Sequence, residues 1–107
     1  MGVWMIYELR TYTIKIGKLK EFIEIYDKKI RKIHVKTLGN QLGFFYSEIG
    51  DLNQVVHLYA YKSYEDRENR RKTLSEKKEF KNYINEVADI IVSQKNQLLK
   101  ATEFSKI

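Results

Sequence analysis

The sequence predicts a ferredoxin-like α+β protomer, a β-α-β-β-α-β chain with an antiparallel sheet and helices on one face. Three observations carry this reading. Residues 5–13 and 54–62 are strand-like segments rich in Tyr, Thr, Ile and Val. Residues 18–35 and 76–88 repeat apolar side chains at three- and four-residue intervals, the mark of an amphipathic helix. The middle two strand patterns are joined only by Gly50-Asp51-Leu52-Asn53, short enough to force an antiparallel hairpin.

Each element follows from its residues. In the first strand, alternation separates Met5, Tyr7, Leu9 and Thr11 from Ile6, Glu8, Arg10 and Tyr12. The second set places a carboxylate, a guanidinium and a phenol on one face. The first helix, 18–35, carries a stripe of Leu19, Phe22, Ile23, Tyr26, Ile30 and Ile33, and Leu38-Gly39-Asn40 ends it. Residues 42–49 and 54–62 form the second and third strands. Ser63 caps the next helix, with Asp66 three residues on, a spacing like that of a capping box. This helical region runs to Leu74, breaks near Ser75 and resumes over 76–88 with Phe80, Tyr83, Ile84 and Val87 as its stripe. Residues 91–100 form the last strand.

With 107 residues, and no linker, repeat or low-complexity tract, the chain reads as one domain spanning 1–107. It has no cysteine, which excludes a disulfide scaffold, a thiolate metal site and a Cys nucleophile. The net charge of +6 is spread over helices in which Lys and Arg alternate with Glu and Asp, as solvated helix faces do. No signal-peptide pattern, myristoylation signal or membrane-spanning apolar run is visible, so a cytoplasmic protein is expected.

Two helices cover only one face of a four-stranded sheet. On the third strand, Val56, Leu58 and Ala60 are small and apolar, suited to helix contact. Val55, His57, Tyr59 and Tyr61 then point away from the helices, too apolar for bare water. A second copy packed on this face would bury them, which predicts a homodimer. In a ferredoxin-like order, strands one and three are central neighbours. Glu8, Arg10 and Tyr12 therefore share a face with His57, Tyr59 and Tyr61.

The segments MIYELRTYTIKIGKLKEF at 5–22, GFFYSEIGDLNQVVHLYAYKSYEDRENRR at 43–71 and VSQKNQLLKATEFS at 92–105 resemble the NIPSNAP family. The resemblance covers nearly the whole chain. It implies a dimeric α/β barrel, in which two ferredoxin-like protomers join their sheets around a central cavity. This fold is similar to that of small barrel enzymes that include cofactor-independent monooxygenases, haem-degrading oxygenases and muconolactone-type isomerases, but a shared fold does not carry chemistry with it. Members of the family have been associated with vesicle traffic and, in animals, with mitochondria. No mitochondrial leader is visible here, so that role is not transferred. A phosphatase is not supported either: Asp27, Asp51, Asp66 and Asp89 stand isolated, with no Gly-rich phosphate loop.

The candidate catalytic residues are His57, Arg10 and Tyr12; the candidate ligand-binding residues are Glu8, Tyr46, Glu48, Tyr59, Asn53 and Arg67. His57 is a general base, a substrate contact or a satisfied core residue. Arg10 clamps a substrate carboxylate or pairs with Glu8 or Glu48. The tyrosines orient a flat ligand or simply pack. Asn53 equally suits the turn of the hairpin, where short polar side chains bond the backbone. Arg67, Arg70 and Arg71, near Glu65, Asp66 and Glu68, form an ion-pair network or an anion site. His34 is explained by the charge and dipole of its helix end. No metal is expected, because no His–Glu–His spacing exists. No cofactor is expected, with haem on His57 as the alternative. Two functions compete: a cavity for a small flat or carboxylated molecule, with oxygenase- or isomerase-like chemistry, and a non-enzymatic interaction scaffold. Nucleic acid is disfavoured, since the aromatics and lysines are not interleaved on one face.

Overall fold

The computed structural model describes residues 6–107. Its elements are β1 (Ile6–Ile14), α1 (Leu19–Ile25), a π-helical turn (Tyr26–Ile30), α2 (Arg31–Leu38), β2 (Asn40–Tyr46), β3 (Gln54–Tyr61), α3 (Tyr64–Ser75), α4 (Lys78–Val87) and β4 (Ile91–Leu99). The sheet order is β2-β3-β1-β4, with every pair antiparallel. This is the ferredoxin-like arrangement predicted above. Met5, the expected first residue of β1, lies outside the described residues.

The helix signals are realised. The Asp66 amide donates to Ser63 Oγ at 2.9 Å, and the Asp66 carboxylate accepts from the Lys62 amide at 3.2 Å. The break after Ser75 separates α3 from α4. The hairpin is longer than expected: β2 stops at Tyr46, and Ser47–Asn53 form a loop in which Gly50 and Asn53 take positive φ. The Asn53 carbonyl accepts from the Ile14 amide at 2.7 Å, tying that loop to β1.

Two local irregularities shape the interior. The buried residues of the first helical region are Phe22, Tyr26, Ile30, His34 and Leu38, a strict four-residue spacing. In a straight α-helix such a row drifts by about 40° per step, roughly 160° from Phe22 to Leu38. The wider π-helical turn takes up most of that drift, so one side of the rod stays on the sheet. In β2 a bulge between Gln41 and Gly43 breaks the alternation. Gln41 pairs with Tyr59 and Phe44 with His57, so residues three apart reach the same face.

The helices lie on the face carrying Glu8, Arg10, Tyr12, Val55, His57, Tyr59 and Tyr61. Arg67 of α3 bonds Glu8, and His34 of α2 meets Tyr59. Arg10 sits opposite His57 in the ladder, as parity requires. The expectation that this face turns away from the helices is therefore corrected: the His57 ring lies beneath them. The physical reason is that its polar tips find partners there, on α2 and β2. The other face, with Leu9, Thr11, Val56 and Leu58, carries no helix. The main core joins Ile14, Phe22, Tyr26, Ile30, Val55, Tyr83, Val87 and Ile90, and a second cluster holds Leu38, Tyr59, Tyr61 and Leu74.

Candidate functional site

Between the helices and the sheet lies a cavity of about 270 Å³. Its sheet wall is Arg10, Tyr12 and His57, with Ile91 and Gln94 of β4. Phe22, Tyr26 and His34 come from the first helical region, Arg71 from α3, and Phe80, Tyr83, Ile84 and Val87 from α4. The exposed side chains among these, Ile84 at 41% and Gln94, place its mouth between α4 and β4.

One wall is a chain of imidazoles and phenols. His57 Nδ1 lies 3.1 Å from Tyr59 Oη, Tyr59 Oη 3.2 Å from His34 Nδ1, and His34 Nδ1 2.9 Å from Tyr26 Oη. The Gln41 amide donates to both phenols, at 2.9 Å to Tyr26 and 3.3 Å to Tyr59. The bulge in β2 puts Gln41 there, and the π-helical turn puts His34 there. Phe44 stacks on His57 with ring centres 4.0 Å apart. His57 Nε2 is buried with no partner among the described residues.

Both imidazoles are neutral at ordinary pH. His57, 3% exposed, has its pKa lowered to about 2, by burial first and then by His34, Arg10 and Arg71. His34, 6% exposed, is lowered to about 3 by burial and by the charges of Arg71 and Arg10. Burial likewise pushes the Tyr59, Tyr26 and Tyr83 phenols upward.

Beside this wall lies an ion cluster. Glu8 is 0% exposed and accepts from Arg10 Nη1 at 2.8 Å and from Arg67 at 2.9 and 3.2 Å. Burial raises its pKa, but Arg67 and Arg10 outweigh that and hold it below the usual carboxylate range. Arg10 also donates to Tyr12 Oη through Nε and Nη2, at 3.1 and 2.9 Å, and, with the Asn96 amide turned so that its oxygen faces the guanidinium, to that oxygen at 2.7 Å. Its charge is thus paired with Glu8 and most of its donors are used within the protein, and its visible effect is to fix the Tyr12 phenol in the cavity wall.

Of the residues singled out from the sequence, the structure brings His57, Arg10, Tyr12 and Tyr59 together at the cavity or directly behind it. Glu8 and Arg67 anchor that group from beneath α3. Tyr46, Glu48 and Asn53 stand apart at the far end of the β2–β3 hairpin, where Tyr46 and Glu48 are exposed and Asn53 serves the loop. Reading the sequence missed Gln41 and Phe44, named Arg71 only together with Arg67 and Arg70 as an ion-pair network or an anion site, and put His34 down to its helix end. The four-residue spacing from Phe22 was the signal that could have found His34.

Comparison with known proteins places the chain. The family model described as NIPSNAP matches residues 7–106. The chain belongs to the NIPSNAP family. A NIPSNAP family protein from Agrobacterium tumefaciens shares the structure at a TM-score of 0.93, with 36% identity over 96% of this chain and 98% of that one. An uncharacterized NIPSNAP-like domain protein from Burkholderia xenovorans matches at 0.92 and 34% identity, covering 99% of this chain and 92% of that one. The Protein NipSnap homolog of Dictyostelium discoideum is 45% identical over 62 residues, 58% of this chain. That match spans only 27% of the Dictyostelium protein, so this NIPSNAP chain corresponds to about a quarter of it. A Nitrosomonas europaea protein named provisionally as an antibiotic biosynthesis monooxygenase has a TM-score of 0.67 at 16% identity, covering 91% of this chain and 98% of that one, a likeness of fold alone.

Proposed function

We propose that this NIPSNAP chain binds a small ring-bearing molecule in the cavity between its helices and sheet. The observation that carries the reading is the cavity itself: partly enclosed, lined mainly by aromatic and aliphatic side chains, with a few convergent polar groups. Binding is favoured over turnover. An imidazole with a pKa near 2 or 3 is a weak base at neutral pH, far from the match that general-base catalysis requires. Oxygenase- or isomerase-like chemistry starting with proton removal is therefore the weaker reading. The neutral imidazole–phenol chain suits hydrogen bonding to a ligand and fixing its orientation. The test is a ligand-observed NMR screen of single-ring compounds. Wild type should give hits that Ile84→Trp, which fills the mouth, abolishes. Hits of equal strength in both proteins would refute this location.

The chain is further proposed to be a homodimer, joined through the sheet face without helices. That face carries Leu9, Val56 and Leu58, each half-buried, with Phe45 57% exposed beside them. Nearly all of β4, an edge strand, is also exposed. Apolar area of this kind on a sheet is normally covered, and two copies related by a twofold axis would cover it in both. Leu9→Arg should convert a wild-type dimer to a monomer in sedimentation equilibrium while the circular dichroism spectrum is retained. A monomeric wild type at micromolar concentration would end the proposal.

A further inference from the structure

The charges around the cavity do not balance. Glu8 is shared by Arg10 and Arg67, Glu68 pairs with Arg67, and Asp66 pairs with Arg70. Arg71, one helical turn beyond Arg67 on the sheet-facing side of α3, has no carboxylate partner among the described residues. Yet Arg71 lines the cavity, and its Nη1 is buried without an acceptor among the described residues. Its charge is felt at His34, His57, Tyr59, Tyr61 and Glu8, which places the guanidinium centrally. The Tyr61 hydroxyl is near enough to interact with the Arg71 side chain, although neither it nor Arg71 Nη1 completes a well-formed hydrogen bond, and a neutral phenol cannot balance a cation. A buried donor with no acceptor is costly, and more so when it is charged.

We propose that the molecule bound in the cavity carries one anionic group, a carboxylate in the simplest case, and that Arg71 holds it. The inference rests on the cavity being a ligand site and adds the charge of its ligand. A guanidinium suits this role because its planar fork can take both oxygens of a carboxylate. Arg10, the other cation at the cavity, already has its charge met by Glu8 and is bonded to Tyr12. Size agrees. An engineered apolar cavity of about 150 Å³ accepts benzene. The volume here, about 270 Å³, leaves room for one ring and a carboxylate. The aromatic walls hold the ring, and the neutral imidazoles leave Arg10 and Arg71 as the cations facing the space.

The experiment compares benzoate with benzamide, a neutral near-isostere, by calorimetry or chemical-shift titration. Wild type should bind benzoate about tenfold more tightly than benzamide, a difference of about 1.4 kcal/mol. Arg71→Gln should erase that preference while keeping benzamide binding, and Arg70→Gln, on the side of α3 that faces the end of α2 and outside the cavity lining, should preserve it. Equal affinity for the two probes in wild type, or a preference that survives Arg71→Gln, overturns the charge assignment and leaves the cavity reading standing. Failure of both probes to bind at millimolar concentration overturns the cavity reading. Stability without ligand supplies an independent check. Removing an uncompensated buried charge should leave the melting temperature of Arg71→Gln unchanged or raised. A large fall would mean that Arg71 is already satisfied within the fold, and the proposal would fail.

Discussion

Glu8→Gln should lower the unfolding free energy by about 3–5 kcal/mol, the usual cost of removing one partner from a buried ion pair. Glu8 has no exposed surface and is the carboxylate that Arg10 and Arg67 share. The amide keeps the shape of the side chain but brings no negative charge, and its NH2 group faces guanidinium donors. Arg10 is then left beneath α3 without a carboxylate, and Arg67 keeps only the exposed Glu68. Tyr12 should also lose its fixed position, because Arg10 holds it only while Glu8 holds Arg10. The measurement is a urea unfolding curve at fixed protein concentration, since the stability of the proposed dimer would depend on that concentration. Glu8→Met combined with Arg10→Met should be less damaging than Glu8→Gln alone, because apolar groups of similar volume can replace a buried pair at little cost. A loss below about 1 kcal/mol for Glu8→Gln would show that the cluster is solvated and weak.

Stability should also fall steeply as the pH drops from 6.5 to 5. His34 and His57 are neutral in the fold, with pKa values of about 3 and 2 against an ordinary 6.5. Below pH 6.5 the unfolded chain takes up protons on both rings and the folded chain does not. The unfolded state therefore binds more protons, and acid favours it. The loss reaches about 2 kcal/mol for each ring at pH 5, from about 1.4 kcal/mol per pH unit. Glu8 works in a lower window. Its depressed pKa gives stability that is complete above the ordinary 4.5 and is lost as the pH falls through the folded value. The two effects are thus separable along the pH axis. Unfolding midpoints measured from pH 7 to 5 should slope downward, and His34→Gln should remove about half the slope. A flat wild-type profile would mean that the rings are hydrated in solution.

Much of the fold was legible because its signals are local. Ser63 and Asp66 mark a helix start, the apolar intervals mark the helices, and the short hairpin fixes which strands are adjacent. The shared face of Arg10 and His57 followed from parity alone. Which side of the sheet the helices cover was not legible. β3 is apolar on both faces, with Val55, Tyr59 and Tyr61 against Val56, Leu58 and Ala60, and a period of two cannot say which set lies under a helix. The hydroxyl and imidazole tips argued for water or a partner chain. Their true partners, His34 and Gln41, lie on α2 and β2, and a bulge and a π-helical turn bring them there. Which of Arg67, Arg70 and Arg71 lacks a carboxylate was hidden for a similar reason. Three arginines within five residues look alike until Glu8, far away in the chain, is seen to take one of them.

The wide turn at Tyr26–Ile30 also bears on descent. A segment of this kind is what remains when one residue is added to an ordinary helix, and it persists where the displaced side chains gain a use. Deleting Lys28 or Lys29 should restore a regular helix and rotate everything after it by about 100°. His34 would then leave the wall although its codon is untouched. Relatives that keep this histidine but lack the extra residue should therefore have a differently furnished interior, and helix length, more than the presence of the imidazole, should sort them.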